Sequence, residues 1–192
     1  MKILIYFLSF FVLSCSLFKR ENKYWAPYKE KKDNQTRDRS LLEHQQYVVD
    51  SFIKNNRSLA VEITRSKRKY LQKLESKIKN TNELFFSKTK NNKNKYYLIK
   101  DKRPVAFSSP KGKIFLTTGL IKKYIKHESN IVSILVFELV KIEKKLFMRK
   151  EFFPSGYFSF EEIVSSFRIP IEEKIKNHKW SFYLLKLSLI HI

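Results

Sequence analysis

Residues 96–145 read YYLIKDKRPVAFSSPKGKIFLTTGLIKKYIKHESNIVSILVFELVKIEKK, and the change of period inside this stretch sets the fold class. Tyr96-Tyr97-Leu98-Ile99-Lys100 has the aromatic and β-branched character of a strand. Asp101-Lys102-Arg103-Pro104 reads as a turn and Val105-Ala106-Phe107 as a second strand. Pro110-Lys111-Gly112 turns the chain into a third, Lys113-Ile114-Phe115-Leu116-Thr117. Helical spacing then takes over. Thr118-Gly119 opens a helix through about Lys126, and Ser129 or Asn130 caps a longer one reaching about Lys150.

Working outward, Leu41, Leu42, His44, Tyr47, Val48, Val49, Phe52 and Ile53 form a helical stripe from Ser40, stopped by Asn55-Asn56. A second helix is expected from about Ser58 to Lys79, its polar face covered by Arg65, Lys67, Arg68, Lys69 and Lys73 as a solvated surface. Residues 87–95, SKTKNNKNK, are a loop by composition. Downstream, PSGY at 154–157 breaks the long helix, and helical segments 159–168 and 171–190 are split by Pro170. The expected architecture is one α+β domain over residues 40–192, mainly helical, with a small antiparallel sheet.

Composition agrees with that class. The chain has 192 residues, enough for one domain with appendages, and only 3 Gly and 5 Pro, which argues against a turn-rich all-β fold. Its formal net charge of +22 suits an anionic partner such as lipid headgroups, glycan or nucleic acid. The same charge has a compositional reading, because Lys, Asn, Ile and Phe are the residues that A/T-rich codons favour. Most of it is Lys scattered along every segment, whereas Arg is the better fork for phosphate, and this argues against nucleic acid.

The amino terminus carries its own signal. Residues 1–20 are MKILIYFLSFFVLSCSLFKR: a basic start, an apolar run from Ile3 to Leu13, then Ser14 and the only cysteine, Cys15. The run is short for a membrane span, which needs about 20 residues, and fits the apolar core of an export signal. Val12-Leu13-Ser14-Cys15 resembles a bacterial lipobox of the relaxed, spirochaete-like kind, with Leu13 bulkier than usual. The resemblance implies cleavage before Cys15, acylation of its thiol with chains such as palmitate, and a mature protein without disulfides. Residues 1–14 are then a lipoprotein signal peptide and 15–39 a lipidated tether that includes Trp25 and Tyr28.

A second resemblance lies in residues 104–141. Ala106-Phe107, then Pro110, Gly112, Ile114, Phe115, Thr117, Thr118, Gly119 and Leu120, followed by Glu138-Leu139, resemble in order the HtpX-like and CAAX-prenyl-endopeptidase-like zinc metallopeptidases. In that family a strand and turn lead into a helix bearing HExxH. Two histidines at i and i+4 bind zinc and the glutamate acts as general base. Here the motif positions read Phe137-Glu138-Leu139-Val140-Lys141. Phenylalanine offers zinc no electron pair and a lysine ammonium repels it. The resemblance places a third ligand near Glu172 or Glu173, with His178 nearby, so no zinc site, no other cofactor and no peptidase activity are expected.

Glu138 is then either a relic of the general base or one half of a surface ion pair with Lys141, three residues on. Phe137 is expected to fill the vacated metal pocket. The implied protein is a lipid-anchored envelope relative of these peptidases that holds extended polypeptide, with Lys113, Ile114, Phe115, Leu116 and Thr117 offered as a peptide-pairing edge strand. The alternative is an envelope protein whose basic surface binds anionic lipid, glycan or nucleic acid.

Overall fold

The computed structural model describes residues 34–147 and 159–189. The expected signal peptide, Cys15, Trp25, Tyr28, the PSGY sequence at 154–157 and His191 lie outside the described residues. Arg37 onward forms one unit, and its described residues hold six helices and a four-stranded sheet. The α+β class expected from the sequence is therefore present.

Helix α1 (Asn34–Asn55) begins inside the expected tether and buries Leu41, Val48, Val49 and Phe52 at helical spacing. Asn56 ends it, its Nδ2 donating to Phe52 O at 3.0 Å. The chain then forms strand β1 (Ala60–Glu62) before helix α2 (Arg65–Thr81). Strands β2 (Lys95–Ile99), β3 (Ala106–Ser108) and β4 (Lys113–Thr117) follow, then helices α3 (Thr118–Tyr124) and α4 (Glu128–Lys144). Helices α5 (Phe160–Ser166) and α6 (Ile171–Leu189) complete the described chain.

Several boundaries correct the sequence reading. Leu59 and Ile63, four apart, read as the start of a helix, but Lys100 N donates to Leu59 O at 3.0 Å and Ile63 N to Tyr96 O at 3.2 Å. Pairing with β2 thus wins over local spacing, and α2 starts only at Arg65. Helix α4 is capped by His127, ahead of the expected Ser129 or Asn130, with His127 N donating to Asn130 Oδ1 at 3.1 Å. It also stops at Lys144, where Lys145 turns left-handed at φ 52° and Leu146 N closes on Lys141 O at 3.0 Å.

The sheet order is β1-β2-β4-β3, with β2 and β4 parallel and the other two pairs antiparallel. The expectation of a purely antiparallel sheet is corrected: β3 and β4 form a hairpin that docks with β4 inward. The offered edge strand is corrected with it. Lys113, Ile114, Phe115, Leu116 and Thr117 pair with β2 on one side and β3 on the other, so their backbone is closed to a peptide.

Register sorts the side chains into two faces. Tyr97, Phe115 and Phe107 lie side by side across three strands, with ring centroids 5.1 and 4.5 Å apart. Phe160 of α5 and Phe167, which caps its end, extend that row at 6.4 and 6.1 Å from Phe107. Each such ring pair adds about 0.5–1.5 kcal/mol beyond area burial. On the opposite face Tyr96, Leu98, Ile114 and Leu116 share a core with Leu71, Leu74 and Ile78 of α2. Tyr70 OH donates to Glu128 Oε2 at 2.6 Å, tying α2 to the first turn of α4. That bond, ahead of burial, pushes the Tyr70 phenol up to about 12.

Candidate functional site

The residues that carry the peptidase resemblance each have a structural task. Gly112 sits at φ 74°, a turn conformation open to glycine. Ile114 and Phe115 are fully buried. Thr117 caps α3, its Oγ1 accepting from Leu120 N at 3.1 Å and donating to Arg103 O at 2.5 Å. Thr118 Oγ1 and Gly119 N both donate to Asp101 O, each at 2.8 Å. The loop they hold is braced by Arg103, which bonds Asp101 and Glu161 at 2.6 Å each and lies over the Phe160 ring. The Arg103 guanidinium in turn holds the Asp101 carboxyl below its ordinary range.

These locks deliver α4 to the interior, where it packs along α6. The HExxH-like positions sit near the middle of that contact. Lys141 Nζ bonds Glu138 Oε2 at 2.8 Å, with only 4% and 3% of the two side chains exposed. The pair expected from the spacing is present, but it is buried rather than on the surface. An ammonium and a carboxylate removed from water in this way each lose several kcal/mol of hydration, so each depends on the other. Glu138 is thus committed to a cation that its neighbour supplies.

Beside this pair lies a cleft of about 590 Å³, lined by Ala106 of β3, Ser133, Ile134, Phe137 and Glu138 of α4, and His178, Ser181, Phe182 and Leu185 of α6. Phe137 is half-buried against His178, ring centroids 4.8 Å apart. Asn177 fastens the two helices with Nδ2 donating to Phe137 O at 3.3 Å. The cleft floor has one unmet polar atom, the Ser181 hydroxyl, which is buried and lacks a hydrogen-bond partner. The exposed Phe182 flanks it with an apolar wall.

The structure brings Phe137, Glu138 and His178 together in this cleft. Glu172 and Glu173 are placed elsewhere: neither lines the cleft, and Glu173 bonds Lys176 at 3.0 Å. No three His, Cys, Asp or Glu side chains among the described residues form a metal-holding group. Ser181 was missed by the sequence reading, since a serine in a helix four residues after an asparagine carries no motif. The sheet edge at β3, one of two with β1, was missed as well. In the β3–β4 register Val105, Phe107 and Ser109 bond β4, which turns the backbone groups of Ala106 and Ser108 outward. Ser108 is fully buried, leaving Ala106 as the part of that edge that opens on the cleft. Among the described residues no helix is long and apolar enough to cross a membrane.

Comparison with protein-family models, with curated proteins and with solved structures finds no match for this chain. The reading of its role therefore rests on the residues themselves.

Proposed function

We propose that the protein is a lipid-anchored cell-envelope protein of metallopeptidase-like descent that binds extended polypeptide without cutting it. The observation that carries this reading is the cleft where α4, α6 and the β3 edge meet. It offers an outward-facing backbone edge at Ala106 and an apolar wall of Phe137, Phe182 and Leu185. An extended peptide supplies what these groups lack: backbone donors and acceptors for the edge, and alternate side chains for the wall. Hydrolysis needs an activated water, and Glu138 meets a lysine ammonium at 2.8 Å where a base would need a metal-bound water.

A labelled, unstructured apolar peptide titrated into the full chain in uncharged detergent is expected to bind saturably and with weak salt dependence. Ala106→Pro removes an outward N–H at an edge-strand position, where proline is tolerated, and Phe182→Lys places a charge on the wall; each is expected to weaken binding about tenfold, a loss of about 1.4 kcal/mol. Binding untouched by both variants sinks the cleft reading. The anchor is checked separately. Wild-type protein is expected in the membrane fraction and a Cys15→Ala variant in the soluble fraction, and an unchanged distribution removes the lipid anchor from the account.

A further inference from the structure

The lysine-rich loop between α2 and β2 is fastened from beneath by buried charges that the cleft does not use. Lys79, 2% exposed, closes α2; its Nζ bonds Thr89 O and Asn92 O at 2.8 Å each and Glu75 Oε1 at 2.7 Å. Glu75 also accepts from Asn94 Nδ2 and Tyr96 OH, both at 2.7 Å. From α4, the buried Glu143 accepts from Thr89 Oγ1 at 2.6 Å and from Lys88 N at 3.3 Å. Lys88, Thr89, Asn92 and Asn94 are thus held at fixed positions. A segment reading SKTKNNKNK, which like-charge repulsion and solvation would otherwise leave loose, is instead fixed.

What the fixed loop presents is cationic. Cavities of about 460 and 690 Å³ lie on either side of it and share Asn91, Asn92 and Lys93. Lys69, Lys73 and Lys93 line the first, and Lys88, Lys111 and Lys145 join Lys93 around the second. All six are exposed and none has a carboxylate partner among the described residues. The carboxylates in the two linings, Glu75 and Glu143, are buried and turned inward to the loop's own anchors. Compositional enrichment in lysine explains a scatter of surface ammoniums. It does not explain buried ionic groups that fix one cluster of them in place.

We infer that this loop is a preformed binding site for a polyanion bearing at least two phosphoryl groups, one received in each cavity. A phosphoryl group offers one or two charges and two or three free acceptor oxygens, which matches flexible ammonium donors set beside the Asn91 and Asn92 amides. Fixing the loop beforehand removes the ordering cost from the binding step. The same chemistry is presented by a soluble polyphosphate and by a diphosphoryl lipid headgroup. The site is separate from the peptide cleft, and its failure leaves that reading untouched.

The test is calorimetric titration of the full chain in uncharged micelles, with inorganic tripolyphosphate in one arm and with micelles doped with cardiolipin in the other. Saturable binding in either arm supports the site, and the arm that binds names the source. Lys88→Gln with Lys93→Gln is expected to weaken binding at least about tenfold, while Lys122→Gln with Lys123→Gln on α3 removes the same charge and leaves it unchanged. Thr89→Val keeps every lysine but cuts the Glu143 tie, and is expected to weaken binding about threefold or more by loosening the loop. Equal losses in the two double variants mean that net charge alone attracts the anion, and that overturns the proposal, as does the absence of binding in both arms.

Discussion

Lys141→Met is expected to lower stability by about 3–5 kcal/mol, measured as a shift of the urea midpoint with the slope unchanged. Methionine keeps the length and apolar stem of lysine, so packing along α4 is little disturbed. What is lost is the cation that bonds Glu138, a carboxylate 3% exposed and 2.8 Å from it. The glutamate must then stay ionised without a partner or take up a proton, and either outcome is costly. Replacing both residues, Glu138→Leu with Lys141→Leu, removes both buried charges and is expected to recover the stability to within about 1 kcal/mol of wild type. A surface pair behaves otherwise, contributing about 0–1 kcal/mol, so a small loss in the single variant would show that Glu138 is solvated and available. The two variants together distinguish a structural pair from a surviving base.

Gly119→Ala is expected to cost about 3 kcal/mol by the same measurement. A Cβ at Gly119 would fall 2.0 Å from Lys102 O and 2.3 Å from Lys102 C, both backbone atoms. The loop cannot simply retreat. Asp101 O receives Gly119 N and Thr118 Oγ1 at 2.8 Å each, and Arg103 O receives Thr117 Oγ1 at 2.5 Å. Moving it also strains the Arg103 bridge to Asp101 and Glu161. The glycine is needed because helix α3 starts against a loop that crosses it in contact. That contact sets where β4 ends, and so where α4 enters the core. A Gly119→Ala chain as stable as wild type contradicts this account of the strand-to-helix junction.

Local chemistry made much of the fold legible. Strand β4 runs from Lys113 to Thr117 as read, because Gly112 supplies the turn before it and Thr117 the cap after it. Helix α5 begins close to where the segment 159–168 was read, because Ser159 and Glu162 exchange hydrogen bonds at 3.2 and 2.7 Å. The misreadings are non-local. Nothing between Asn56 and Arg65 announces that Ala60 will lie opposite Ile99, nor do three short strands reveal that the last one docks between the other two.

The site was legible in part for the same reason. The spacing of Glu138 and Lys141 announced their bond, while its burial depends on α6 lying across α4, which the spacing does not encode. Lys79 was hidden differently. It continues a run of solvated cations along α2, yet at 2% exposure it is the one that turns inward to bind the loop. Ser181 matters through what its hydroxyl lacks, and that is a property of its surroundings.

The central claim, that the cleft holds polypeptide and leaves it whole, is tested most directly by incubating the full chain with a bound, unstructured peptide in zinc-supplemented buffer. The peptide is then weighed by mass spectrometry. The expected result is an intact peptide from wild type and from Glu138→Gln alike. A peptide cut by wild type and spared by Glu138→Gln would show that Glu138 still acts as a base, and would contradict the account.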